Sequence, residues 1–427
     1  MILNQNQNKA IQNVSLGKNT FISGPGGVGK SVVSRKIVSL FSDETVVLAP
    51  TGIAALNVGG MTIHSAFKLP FHILQAKDAY NPHKKVVQLF GKHSPVKRIL
   101  IDEISMVRYD VLFTIDRILK KVRGNKLPFG GLQVITVGDF YQLPPVVVRN
   151  EESTYFSLYD SPYSFGGEAW ADAGFNYIEL NEIMRQSDQE MISNLLKIRN
   201  ASEGYEESVN YFNYHGNKNL VDVLDTDPVF LCATNKTANG INTQNYSELE
   251  GKEKVFYGEK SYGFKGQTPV EEELRLKYGA KVIITANTSD YKNGQIGYVT
   301  GFVNDRIEVL LEETEETVFV EKYIWEQIDY EIKDGKLGTN IAGTFKQYPL
   351  KLAWAITIHK AQGQTIPNAV VDISSGAFCH GQTYVALSRI KSIEGFGLIN
   401  PINRSDIIVD EAVKEFYENG CRGISLF

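Results

Sequence analysis

Short apolar runs punctuate the first half of the chain at regular intervals. Those at 20–23, 45–50 (TVVLAP), 97–101 (KRILI) and 132–137 (LQVITV) have the length and β-branched content of buried strands. Helical patterns alternate with them, and each run ends in a turn carrying polar residues. This predicts a parallel α/β sheet whose functional edge lies at the carboxyl ends of the strands. After an irregular Ser/Tyr/Gly-rich stretch at 151–168 the rhythm resumes, with strands expected at 176–180 (NYIEL), 229–233 (VFLCA), 281–284 (KVII), 369–373 (AVVDI) and 395–399 (GFGLI). A second α/β domain accounts for these. Between 296 and 345 the rhythm changes: IGYVTGFVNDRIEVLLEE reads as two strands around Asn304-Asp305, followed by TVFVE and by IDYEIKDGK with its Asp334-Gly335 turn. A small antiparallel β-barrel inserted into the second domain is the expectation. The boundaries predicted are 1–175 for the first domain, 176–295 and 346–427 for the second, and 296–345 for the insert.

At 427 residues the chain has room for two or three domains, taking about 100–200 residues for each. No run of about 18 apolar residues occurs, so no membrane span is expected. The start, MILNQNQNKA, carries neither a basic-then-apolar signal nor an Arg-rich amphipathic pattern, which predicts a cytoplasmic location. Cys232, Cys379 and Cys421 form no CxxC pair and read as reduced residues without a metal or disulfide framework. The net charge of −5 is unevenly spread. Segment 305–334 is acidic, whereas DRILKKVRGNK (116–126) carries Arg117, Lys120, Lys121, Arg123 and Lys126 against one Asp. That basic run is either a solvated helix face or a patch that steers a polyanion.

Gly24-Pro25-Gly26-Gly27-Val28-Gly29-Lys30-Ser31 matches GxxxxGK[ST] at every fixed position, between a predicted strand and a predicted helix. Glycines let backbone N–H groups close around phosphate oxygens, and the following helix start adds partial positive charge. Lys30 would neutralise the β- and γ-phosphates and Ser31 would hold Mg²⁺, so the chain is expected to bind a nucleoside triphosphate with Mg²⁺. Ile99-Leu100-Ile101 ends in Asp102 and Glu103. Downstream of a P-loop, Asp102 is expected to hold the metal through water and Glu103 to act as general base for the attacking water. Gln142, in Val137-Gly138-Asp139-Phe140-Tyr141-Gln142-Leu143-Pro144-Pro145, has an amide that both donates and accepts, which suits γ-phosphate sensing. Arg185, just after a strand, and Arg389, in YVALSR, are candidate arginine fingers, a role worth about 10³–10⁵ in rate. Taken singly, either arginine is more often a surface salt-bridge residue.

In this order these pieces resemble superfamily-1 helicases, and more specifically the Pif (petite integration frequency) family, from about residue 3 to residue 400. LNQNQNKAI resembles the adenine-reading glutamine motif, implying base contact by Gln7. GPGGVGKS, IDEISMV, VGDFYQLPPV and MRQ resemble the successive ATP motifs, and DVLFTIDRILKKVRGNKLPFGG (110–131) resembles the family signature. The resemblance implies two RecA-like domains with an SH3-like barrel in the second, and a short wedge element near 66–90. It implies single-stranded DNA contacts in APTGIAALNVGGMTIHSAF (49–67) and LAWAITIHKAQGQT (352–365). Candidate contacts are Thr51, Thr62, His64 and Ser65 in the first, and Thr357, His359 and Lys360 in the second. Hydroxyl, imidazole and ammonium groups suit phosphate oxygens, although a single histidine is more often structural.

The function implied is that of a 5′→3′ DNA helicase acting on single-stranded, duplex or structured DNA. ATP would bind between the two α/β domains, with closure by Arg185 and Arg389 coupled to movement. A translocase that strips proteins or remodels junctions but unwinds poorly is the alternative. A nucleotide-switch module without motor action leaves the paired arginines and the 49–67 stretch unexplained. A monomer is expected, with the acidic insert a possible protein-binding face.

Overall fold

The computed structural model describes residues 3–186 and 188–423. The described chain divides into two compact units. The first takes in the chain up to Ile183, the segment Gln327–Ala342 and the chain from Val409 onward; the second takes in Met184–Glu326 and Gly343–Ile408.

The first unit is built on a six-stranded parallel sheet, ordered Met61–Thr62, Thr45–Ala49, Arg98–Ile101, Gln133–Val137, Thr20–Ser23 and Asn176–Glu179. Its inner strands are apolar on both faces because both faces are covered. Successive residues accordingly enter opposite cores. Val46 and Leu48 pack with Ile99 and Ile101 on one side, while Val47, Leu100 and Ile135 pack on the other. The expected strand at NYIEL forms as Asn176–Glu179, but it pairs with Thr20–Ser23 and completes this sheet. The first unit therefore runs past the boundary predicted at 175, because an edge strand carries no mark of which sheet it will join.

The second unit holds a four-stranded parallel sheet, ordered Ala355–Thr357, Val229–Cys232, Ala369–Asp372 and Phe396–Leu398. KVII was expected among these strands. It instead pairs antiparallel with Ile296–Val303 and Leu350–Leu352 in a separate five-stranded sheet. A short, fully buried run reads alike in either setting. Its Lys281, wholly buried, lies 3.6 Å from Asp227 and 3.7 Å from Glu312. The antiparallel region also exceeds the predicted 296–345, taking in Lys254–Tyr257, Glu259–Lys260 and Glu273–Leu276 before it and Leu350–Leu352 after it.

Both predicted hairpin turns form. Asn304 and Asp305 sit at φ 47° and 59°, and Asp334 and Gly335 at φ 52° and 74°. Two successive left-handed residues match the twist of the flanking strands. The hairpin Tyr323–Lys333 and Lys336–Gln347 does not stay within an insert, however. Its distal half belongs to the first unit, where Ile328, Tyr330 and Leu337 pack on the core and Val47 N–H donates to the Tyr330 hydroxyl at 3.1 Å. The chain end departs from expectation too. Helix Glu411–Glu418 places Val413 and Phe416 in the first unit's core, so 346–427 does not belong wholly to the second domain. No helix among the described residues is long and apolar enough to cross a membrane.

Candidate nucleotide site and nucleic-acid interface

The P-loop leaves the strand Thr20–Ser23 and enters the helix Lys30–Leu40. Gly24, Gly27 and Gly29 adopt φ of 143°, 84° and 81°. A Cβ on Gly24 would lie 2.1 Å from the Leu180 carbonyl oxygen, so no other residue fits there. Val28 is buried in the core while Ser31 is exposed on the first helical turn, which fastens the loop from below and leaves the hydroxyl accessible. Lys30 Nζ donates to the carbonyls of Gly24 at 2.6 Å and Pro25 at 2.9 Å, across the loop that also contains Gly26. Gln7 is buried beside it. Its Oε1 accepts from Asn4 N–H at 3.1 Å and its Nε2 donates to the Val28 carbonyl at 3.3 Å. The carboxamide thus ties the first helix, Gln5–Ser15, to the P-loop.

Asp102 follows the strand Arg98–Ile101, which is separated from the P-loop strand by Gln133–Val137, and burial raises its carboxyl above the ordinary range. The Glu103 N–H, donating to Asp102 Oδ1 at 3.0 Å, and the nearby Lys30 charge act in the opposite sense. The structure thus brings Lys30 and Asp102 together. Glu103 sits at φ 50°, a conformation that costs a non-glycine residue energy. Gln142 is buried, and its Nε2 donates to Asp139 Oδ2 at 3.2 Å. Among the described residues no three His, Cys, Asp or Glu side chains gather to hold a metal. A hydroxyl and one carboxylate beside a phosphate cradle are nevertheless an all-oxygen donor set that fits Mg²⁺.

In the second unit, one turn collects both predicted arginines. Arg185 donates to the carbonyls of Ser388 at 2.9 Å and Gly363 at 3.2 Å. Arg389 is buried, and donates from Nε to the Val385 carbonyl at 3.0 Å and from Nη2 to Ser388 Oγ at 2.7 Å. Gln186, not predicted as a site residue, donates to the carbonyls of Ser388 at 3.2 Å and Ile390 at 2.9 Å. Its sequence signal is its place beside Arg185 in MRQ, one of the stretches that resemble the ATP motifs.

The predicted DNA stretches lie at carboxyl ends of parallel strands. Thr51 follows Thr45–Ala49 and caps the helix Gly52–Val58, its Oγ1 accepting from Ala54 N–H at 3.2 Å. Thr62 ends Met61–Thr62 and accepts from Ser65 N–H at 3.2 Å. A hydroxyl that accepts a cap bond keeps its proton to donate, the direction a phosphate requires. Thr357 repeats the arrangement at the end of Ala355–Thr357, accepting from Lys360 N–H at 3.4 Å, with the Lys360 side chain exposed.

Each stretch also carries a histidine stacked on an exposed phenylalanine that sequence reasoning did not single out. His64 stacks on Phe71 at 5.0 Å between ring centres, and His359 on Phe378 at 6.4 Å. Burial lowers both imidazole pKa values below the ordinary histidine range. Lys351, also missed, stands close enough to Lys360 for their charges to repel.

The segment expected to hold a wedge element is a loop with a single helical turn, Ala76–Ala79, and then the helix Lys84–Phe90. Phe71 at its start is 90% exposed. The signature helix Tyr109–Arg123 holds this loop: buried Asp110 accepts from Leu74 N–H at 2.9 Å and Lys121 donates to the Tyr80 carbonyl. The basic run is thereby largely engaged within the protein. Lys120 pairs with Asp116 at 2.7 Å, Arg123 donates to the Gly130 carbonyl at 2.7 Å, and Arg117 lies over the Phe113 ring.

Comparison with known proteins agrees with this geometry. Residues 2–203 match the model of the PIF1-like helicase family. The chain is 33% identical to the ATP-dependent DNA helicase Pif1 of Bdellovibrio bacteriovorus, over 97% of this chain and 92% of that protein. It resembles the crystal structure of Bacteroides sp Pif1 in complex with ADP-AlF4, with a TM-score of 0.89 and 32% identity over 100% of both chains. Against Bacteroides Pif1 bound to ssDNA the TM-score is 0.68, at 32% identity over 100% of both chains. Together with the P-loop, its carboxylates and the two threonine-histidine stretches, these likenesses make the chain a member of the PIF1-like family of ATP-dependent DNA helicases.

Proposed function

We propose that this helicase moves 5′→3′ along a single strand and separates duplex or structured DNA ahead of it. The observation that carries single-strand tracking is the repeated design at the two parallel sheets, while the 5′→3′ direction rests on the family resemblance. Each presents threonine, histidine and an exposed aromatic at its carboxyl edge, beside phosphate-binding or arginine-bearing turns. Thr51, Thr62, His64, Ser65, Thr357, His359 and Lys360 are read as backbone contacts. Contacts of that kind confer little sequence preference and a salt-sensitive affinity.

In the ATPase cycle, the P-loop amides and Lys30 hold the phosphates, and Gln7 steadies the loop and lies beside the base. Ser31 and Asp102 are assigned to Mg²⁺, which when bound supplies charge neutralisation at the phosphates. Glu103 takes the proton of the attacking water, Gln142 senses the γ-phosphate, and Arg185 and Arg389 stabilise its developing charge. The motor is read as a monomer. Glu312, Glu313 and Glu321 of the acidic segment are paired with Lys281, Lys391 and Arg306, and the remainder is a candidate protein-binding face.

Unwinding of two partial duplexes, one with a 5′ single-stranded tail and one with a 3′ tail, tests this reading. Separation of the 5′-tailed duplex alone is expected. Separation of the 3′-tailed one alone would overturn the polarity, and DNA-stimulated ATPase that opens neither would favour a translocase.

A further inference from the structure

The Tyr417 hydroxyl lies where two loops of the nucleotide site begin. It is 2.8 Å from Ser23 Oγ, on the last strand residue before the P-loop. It accepts from Phe140 N–H at 3.2 Å and lies 3.5 Å from Asp139 Oδ1. Asp139 in turn accepts from Tyr141 N–H at 3.2 Å and, through Oδ2, from Gln142 Nε2 at 3.2 Å. A continuous polar path thus runs from the strand that launches the P-loop, through one phenol, to the amide of Gln142.

The residue at the centre of this path comes from far away in sequence, on helix Glu411–Glu418. That helix is firmly seated. Phe416, fully buried, stacks on Phe165 at 4.1 Å, Tyr163 donates to Asp410 at 3.0 Å, and Trp170 Nε1 donates to the Cys421 carbonyl at 3.1 Å. The Tyr417 ring itself stacks on Tyr141 at 4.6 Å with 11° between planes. Packing alone would be met by a phenylalanine. What the phenol adds is an oxygen with one proton to donate and two lone pairs to accept. That capacity suits an N–H donor, a hydroxyl and a carboxylate, all of which lie beside it.

We infer that Tyr417 is a positioning residue for ATP hydrolysis. Its hydroxyl holds the base of the P-loop and the Gln142 loop at fixed separation, so that a change at the γ-phosphate is passed to the strand below the P-loop. Networks of this kind constrain the groups they join beyond what single bonds suggest. The inference rests on the reading of Gln142 as the γ-phosphate sensor.

The test compares full-length Tyr417→Phe, Gln142→Ala and the double variant. Single-stranded-DNA-stimulated ATPase gives kcat and KM, and ADP affinity and the thermal midpoint are measured alongside. Tyr417→Phe is expected to lower kcat about tenfold, with ADP affinity and thermal midpoint close to the parent's. The double variant should be no slower than Gln142→Ala, because both interrupt one path. Ser23→Ala should reproduce the Tyr417→Phe effect, and it carries the test if Tyr417→Phe fails to fold. Unchanged kcat in Tyr417→Phe, with Gln142→Ala slow, would overturn the inference alone. So would a fall in ADP affinity and thermal midpoint together with kcat, which marks a purely structural role. Normal turnover in Gln142→Ala would overturn the sensor reading, and this inference with it.

Discussion

At the scale of single residues, Glu103, proposed as the general base, adopts a backbone conformation that a non-glycine residue rarely takes. Its φ of 50° follows directly on Asp102, whose buried carboxylate accepts the Glu103 N–H. Strain of this kind persists only where the surroundings over-determine it. Glu103→Gln keeps the shape and removes the base. It should retain ATP binding while slowing hydrolysis by about 10²–10⁴, measured by nucleotide binding beside single-turnover ATPase; normal turnover would dismiss Glu103 as the base. Lys351 offers a second residue-scale test. Burial first, and then the Lys360 charge, lower its pKa from 10.5 to about 8. Between those two values the unfolded chain binds the extra proton, so this site's contribution to folding stability rises with pH over that window. Placed at the DNA strand beside Lys360, the Lys351 ammonium would change DNA affinity in the opposite sense, losing its charge and its attraction to phosphate as pH rises through about 8. Single-stranded DNA affinity should therefore fall more steeply from pH 7 to 9 in the parent than in Lys351→Met. Equal slopes would remove Lys351 from the interface.

Elements decide what such residues can reach. The loop after the helix Ile63–Phe67 carries Phe71 in the open, stacked on His64. Because the ring is exposed, Phe71→Ala should shift stability by no more than about 0.5 kcal/mol. It should nevertheless reduce strand separation while sparing single-stranded-DNA-stimulated ATPase, and equal loss of both would argue against a separating role. The loop's anchor is different in kind. Asp110 is fully buried, pairs with Arg108 at 2.6 Å and accepts from Leu74 N–H. Asp110→Ala leaves the Arg108 guanidinium with Glu151, at 3.9 Å, as its remaining counter-charge and the Leu74 N–H without its acceptor, so a loss of about 3 kcal/mol in denaturant unfolding is expected. Element types were largely legible from the chain. Gly24–Ser31 declared its loop through glycine spacing, and Asn304-Asp305 and Asp334-Gly335 declared their turns through residues that tolerate positive φ. The signature helix was legible as a helix, but its basic face was not legible as a clamp. Whether Lys121 meets water, DNA or the Tyr80 carbonyl depends on a partner 41 residues away.

For the whole molecule, sequence order and spatial unit part company. Gln327–Ala342 and the chain from Val409 onward both join the first unit, although a long stretch of the second unit precedes each. The strands KVII and NYIEL formed where their patterns placed them, yet in sheets other than those expected. Local backbone structure was decided by the sequence alone. Glycine spacing set the left-handed turns of the Gly24–Ser31 loop, and a short apolar run set the strand ahead of Asp102-Glu103, because each depends on a few neighbours along the chain. Pairing and return were decided only in three dimensions. A fully buried run such as Lys281–Ile284 is equally content beside any partner with free N–H and C=O groups. An edge strand such as Asn176–Glu179, with one buried side chain, is just as unspecific, so neither carries an address. Tyr417 shows the same limit at a single atom. No feature of ENG or FYE sequence context links it to Ser23, 394 residues away, and only the packing of Phe416 into the first unit's aromatic core brings its hydroxyl beneath the P-loop.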